Sequence, residues 1–283
     1  MEADEYWYES FDRLRLFSRV YPGPGPAAPV ALCLHGLTRN SRDFEDLAPH
    51  LSARYRVIVP DMRGRGLSAR DPNPSNYQIP VYLRDLERLL TGLGAEHVAV
   101  VGTSMGGLIA MLLAATQPAR ISRIVLNDVG PEVDPTGLAR IRGYVGKGAP
   151  VATWEQATAQ LRTIFGAAWP GLDDARWETL ARRSYRTNDH GTLEVDADPM
   201  IAEVVRQSSA AAPDLWGLWG ALARTPILAL RGEHSDILSA TTLARMQREK
   251  ADLEVLTVAD RGHAPLLDEP DSSEKLDAFL QIG

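Results

Sequence analysis

Ser104 stands in the run Gly102-Thr103-Ser104-Met105-Gly106, with Gly107 behind it. A serine alcohol is a weak nucleophile at neutral pH. It needs a histidine within hydrogen-bond reach, and that histidine needs a carboxylate to orient it. The apolar run Val98–Val101 precedes the motif and an apolar stretch ending before Pro118 follows it. This context predicts a sharp strand-to-helix turn that exposes the serine oxygen, with small neighbours where Cβ atoms would collide. The helix N-terminus behind the serine favours negative charge developing there. A plain turn with a helix-capping serine uses the same residue types. The strand and helix on either side, together with the partners below, select acyl-transfer chemistry instead.

The base is expected at His263, in Asp260-Arg261-Gly262-His263-Ala264-Pro265 just past the apolar run Leu253–Ala259. A residue just past a parallel strand lies at the carboxyl edge of the sheet, where ligands bind. His35 also follows an apolar run but precedes Ser104. For the acid, Asp236 in the loop after Pro226–Arg231 is preferred. Asp128, directly after Ile121–Asn127, is the competitor and Glu233 a third candidate. The chain order Ser…Asp…His is met by any of them. Acyl transfer also needs two N–H donors for the developing oxyanion. The backbone of Met105 is one, and Leu37, after His35-Gly36, is the other candidate. Arg39 and Trp154 are possible substrate contacts. Arg39 is also of the type that sits in a surface ion pair, and a cap tryptophan of the type that glues helices together.

These residues need a scaffold, and the pattern supplies one. Apolar β-type runs alternate with helical patterns up to Asn127 and again from Pro226 onward, which predicts a mostly parallel sheet covered on both faces. From Asp134 to about Asp214 there are helical stretches without a convincing buried strand. The expected organisation is a core of residues 1–131 and 214–283, with a helical cap at 132–213 inserted after the sixth strand. Five of the six tryptophans lie between Trp154 and Trp219, so the cap offers an apolar wall over the serine.

Composition narrows the function classes. The 283 residues are 45% hydrophobic and carry a formal net charge of −7, which fits one packed globule and argues against nucleic acid or anionic lipid as partner. The single cysteine, Cys33, sits in an apolar run and reads as a small buried hydrophobe. No zinc-type spacing is present, so no metal is expected. The acidic N-terminus lacks the pattern of a secretory signal, and a cytoplasmic address is expected.

Taken in order, His35-Gly36, Asp61-Met62-Arg63-Gly64-Arg65-Gly66-Leu67-Ser68, Gly102–Gly107, the Asp236 loop and Gly262-His263 make the chain resemble the α/β-hydrolase superfamily, over almost everything outside the cap. The resemblance implies an α/β fold with a mostly parallel eight-stranded sheet and helices on both faces, an inserted helical cap, no cofactor, and an acid in the loop after the penultimate strand. It also implies that Asp61–Ser68 is structural. Serine at 104 departs from the relatives that use a carboxylate nucleophile, haloalkane dehalogenases and epoxide hydrolases. Among the serine relatives the chain is similar to small esterases and lactonases. Ring-fission carbon–carbon hydrolases usually carry Gly-Pro-Gly after His-Gly, where this chain has Leu37-Thr38-Arg39. The expected activity is hydrolysis of small or medium apolar carboxylic esters or lactones through an acyl-enzyme. The alternatives are carbon–carbon bond hydrolysis of dienone acids and a non-catalytic ligand-binding protein of the same fold.

Overall fold

The computed structural model describes residues 2–207 and 214–281. Strands β1 (Asp4–Glu9), β2 (Arg15–Tyr21), β3 (Val30–Leu34), β4 (Arg56–Asp61), β5 (Val98–Thr103) and β6 (Ile121–Asn127) precede the long insertion. Within it lie β7 (Tyr185–Thr187) and β8 (Leu193–Val195); β9 (Ile227–Gly232) and β10 (Glu254–Val258) follow. Eight strands form one sheet in the order β1-β2-β4-β3-β5-β6-β9-β10. β2 runs antiparallel to both β1 and β4, and the other pairings are parallel.

The period-two alternation of the central strands decides which side chain faces which layer. Leu32, Leu34, Val98 and Val100 point to one face, and Ala31, Cys33, Ala99 and Val101 to the other. The first face is covered by α2 (Ile79–Gly92), α3 (Met105–Thr116), α8 (Trp216–Ala221) and α9 (Ala240–Glu249), through Leu86, Ile109, Trp219 and Met246. The second is covered by α1 (Leu47–Leu51) and α10 (Pro270–Leu280), through Leu51, Leu276 and Phe279. Cys33 is buried in that second layer, and burial pushes its thiol pKa up.

Between β6 and β9, which pair directly, the chain leaves the sheet as α4 (Pro135–Tyr144), α5 (Trp154–Phe165), α6 (Asp174–Ser184), the β7–β8 hairpin and α7 (Pro199–Gln207). The hairpin departs from the purely helical expectation. Its strands are three residues each, too short to carry a readable period. The expected end of this segment at residue 213 lies outside the described residues. The segment has its own apolar core around Leu161, Trp169, Trp177, Leu180 and Tyr185. It meets the sheet layer through apolar contact, with Ile201 of α7 packed into the core of the first face, and through charge: the Arg183 guanidinium donates to both carboxylate oxygens of Asp46, and Arg42 pairs with Asp196 at 2.5 Å. Among the described residues, no helix is long and apolar enough to cross a membrane.

Candidate active site

Ser104 sits between β5 and α3 with φ 53° and ψ −116°, a conformation L-residues rarely adopt. The turn is held because its neighbours lack side chains. A Cβ on Gly106 would lie 2.1 Å from the Leu34 carbonyl oxygen, and one on Gly102 would lie 2.5 Å from the Gly106 carbonyl. The chain therefore doubles back tightly and presents the serine oxygen beyond the strand end. His263 follows β10 and reaches over: its Nε2 is 2.8 Å from Ser104 Oγ.

The carboxylate on the other side of the imidazole is Asp128. Its Oδ2 is 2.8 Å from His263 Nδ1, so with that nitrogen protonated Nε2 faces the serine as an acceptor. This corrects the preference for Asp236. Asp128 is fully buried directly at the end of β6, where φ 59° turns its side chain along the sheet edge. There it also accepts the Gly232 N–H at 2.8 Å and the Ser235 hydroxyl at 2.6 Å. Asp236 is held instead by Arg140 of α4, which donates from Nη2 at 2.8 Å and also from Nε. Partial burial raises the Asp236 pKa, but the Arg140 bond outweighs it and holds the carboxyl below its ordinary value. Glu233 is exposed and accepts the Asp260 N–H. The loop after β9 thus supplies Ser235 as a buttress for Asp128, a contact with no signature in a single sequence.

The loop after β3 is fixed from below. His35 is fully buried; burial pushes its pKa down to about 3, so the ring is neutral. Its Nε2 accepts the Met62 N–H at 3.1 Å, which leaves Nδ1 to donate to the Gly36 carbonyl at 2.8 Å. A Cβ on Gly36 would be 3.8 Å from that of Ser104, so this backbone passes beside the serine. Leu37, next in the chain, lines the same pocket, and its carbonyl accepts from Arg65 Nε at 2.6 Å. Arg65 also reaches the Met105 sulfur and the Tyr82 hydroxyl. Met105 is the first residue of α3, where the N–H has no intrahelical acceptor. The Asp61–Ser68 segment therefore ties both candidate oxyanion donors to one buried guanidinium. Arg63 in the same segment is buried among Asp12, Asp71 and Asp85.

Around Ser104 lies a cavity of about 90 Å³ whose walls include Asn127, Tyr144, Phe165, Trp169 and Pro265. Trp169 Nε1 donates to the Ala264 carbonyl at 2.7 Å and so clamps the histidine loop. The aromatic wall is Tyr144, Phe165 and Trp169 in sequence, with Phe165 stacked on Trp169 at 4.7 Å. Trp154, expected as a contact, is not part of it. It opens α5 at the end remote from Phe165, lines a separate surface cleft, and lies under the Arg182 guanidinium at 4.6 Å. Arg39 does line the cavity, but its guanidinium is held by Asp43 at 2.5–3.0 Å and donates to Ser184 Oγ at 2.5 Å. Among the described residues, Glu233, His234 and Asp260 offer ligand atoms within 4.8 Å of one another, all at the exposed surface.

Comparison with known proteins agrees with this architecture. Residues 29–147 match the family model described as alpha/beta hydrolase fold. The 3-hydroxybutyrate-oligomer hydrolase of Cupriavidus necator is 36% identical over 254 residues, covering 87% of this chain and 86% of that one. The 2-(acetamidomethylene)succinate hydrolase of Mesorhizobium japonicum is 28% identical, covering 84% and 82%. The crystal structure of an alpha/beta hydrolase from Novosphingobium aromaticivorans superposes with a TM-score of 0.93 at 46% identity, covering 99% of this chain and 98% of that one. With this fold and these relatives, the chain belongs to the alpha/beta hydrolase fold family.

Proposed function

We propose that this hydrolase is a serine esterase that cleaves small or medium apolar carboxylic esters or lactones through an acyl-enzyme. The observation that carries the reading is the continuous hydrogen-bonded line Ser104 Oγ, His263 and Asp128, with both links at 2.8 Å. Ser104 Oγ attacks the ester carbonyl while His263 Nε2 takes its proton. The Nδ1–H stays on Asp128, which stabilises the imidazolium without taking the proton. The N–H groups of Met105 and Leu37 receive the oxyanion. On collapse, His263 returns the proton to the leaving alcohol. A water then attacks the acyl-enzyme with His263 again as base, which releases the acid and restores Ser104.

Ester chemistry is supported by the Cupriavidus relative, since ester bonds join an oligomer of a hydroxy acid. A dicarboxylate substrate, as in the name of the Mesorhizobium relative, has less support. The arginines lining the Ser104 cavity, Arg39, Arg176 and Arg183, are already paired with Asp43 or Asp46. The test is turnover of p-nitrophenyl acetate and butyrate by the purified chain and by Ser104→Ala. Loss of a triad nucleophile removes on the order of 10⁴- to 10⁶-fold in kcat. Ser104→Ala should also abolish labelling by a fluorophosphonate, and EDTA should change nothing. Folded Ser104→Ala with undiminished esterase activity would falsify the assignment.

A further inference from the structure

The cavity at Ser104, about 90 Å³, is smaller than the ~300–1,000 Å³ usual for a ligand pocket. It is not isolated. A second cavity of about 290 Å³ lies inside the insertion, and four residues, Thr38, Arg39, Tyr144 and Phe165, line both. The second cavity is built from Leu161 and Ile164 of α5, Val195 of β8, Ala197, and Ile201 and Ala202 of α7. Three separate elements thus turn apolar side chains toward a space that none of the described residues fills.

We propose, resting on the esterase reading above, that this second chamber binds a neutral aliphatic segment of the substrate, so that the enzyme prefers esters extending from Ser104 past Tyr144 and Phe165 into the insertion. The charged groups on the chamber wall, and the Ser184 and Tyr185 hydroxyls, say why the segment is neutral. Ser184 donates to the Leu180 carbonyl at 2.5 Å, and the Tyr185 hydroxyl is bonded to Gln160 at 3.1 Å. Glu194 accepts from Arg186 at 2.6 Å, and Asp198 accepts from the Tyr77 hydroxyl at 2.6 Å and the Met200 N–H at 2.9 Å. Arg39, at the junction, is held on one side by Asp43 and on the other by Ser184. A charged or phosphorylated group entering the chamber would lose its hydration and find these partners occupied, whereas an alkyl segment loses only water contact.

The same chemistry can come from either side of the scissile bond, so the test has two arms. One varies the acyl chain, from p-nitrophenyl acetate to decanoate. The other varies the alcohol, from methyl to decyl butyrate. In one arm kcat/KM should rise by about four-fold for each methylene buried, until the chamber is full. The arm that shows the rise identifies which side of the ester occupies the chamber. Ile164→Trp and Val195→Phe then fill the space from two different elements, with active sites counted by fluorophosphonate titration. Each should lower the ratio of kcat/KM for the preferred long ester over the shortest one by about ten-fold or more. Flat length profiles in both arms, or filled variants that keep the wild-type ratio while turning over short esters, overturn the chamber and leave the esterase reading standing. No turnover of any ester together with no fluorophosphonate labelling removes the esterase reading, and the chamber with it.

Discussion

Asp128 and Asp236 both follow apolar strands of one parallel sheet, and both lie between the strand that carries Ser104 and the one before His263. From residue pattern alone they are equivalent, which is why the carboxylate on His263 was not legible in the sequence. What separates them is a contact across about a hundred residues: Arg140 of the insertion captures Asp236, while Gly232 and Ser235 gather on Asp128. The approach of Ser104 to His263 was legible, because a glycine-flanked serine between strand and helix and a histidine past the last strand must share one sheet edge. The two acids should differ sharply in function. Asp128→Asn keeps the shape but offers Nδ1 an amide, so the wrong tautomer faces Ser104, and the expected loss is on the order of 10⁴-fold in kcat. Asp236→Asn only weakens a partly exposed pair with Arg140 and should cost less than about ten-fold. Kinetics at neutral pH on variants whose circular dichroism matches the wild type decide this; a reversed order returns the acid to the loop after β9.

At the scale of elements, the alternation of apolar strands and helices was readable because each central strand is buried on both faces and each covering helix on one. What the pattern could not reveal is how the loops at the strand ends brace one another. The segment after β4 looks like a glycine-rich turn, yet Arg65 in it is 1% exposed and holds the carbonyl of Leu37. Arg65 is thus a positioning residue for the loop that carries a candidate oxyanion donor. Arg65→Leu leaves that carbonyl and the Tyr82 hydroxyl without their donor and frees the loop to drift. Loss of one oxyanion donor costs roughly 10²- to 10³-fold in kcat, and a misplaced one should cost about 10²-fold with a smaller change in KM. Kinetics with p-nitrophenyl acetate beside a thermal melt make the check. A variant that melts lower but keeps its kcat would show that Arg65 braces the fold and not the loop.

For the molecule as a whole, acid should act through two groups in successive pH windows that overlap between about pH 4 and 3. The first is His35. Its ordinary pKa is ~6.5, whereas burial holds it at about 3 in the folded chain. Below ~6.5 the unfolded chain binds a proton that the folded chain refuses, so stability falls with pH until about 3, by up to ~1.4 kcal/mol per unit. His35→Gln should flatten that slope. The second is Asp46, where the insertion meets the sheet layer. The bonds from Arg183, ahead of those from Arg176, hold its pKa at about 2 against burial, which pushes the other way. Its folded value is depressed, so its contribution is present above the unfolded value of ~3.9 and is lost as pH falls toward 2. The Asp46 side chain is 44% exposed, so water and salt screen much of the interaction and the effect is modest. Asp46→Asn should therefore lower the Tm at neutral pH by a margin that shrinks in high salt and closes between about pH 4 and 2. Melts of wild type, His35→Gln and Asp46→Asn across this range separate the windows. A Tm gap for Asp46→Asn that is the same at pH 7 and near pH 2 would show that packing, and not the carboxylate charge, seats the insertion on the sheet.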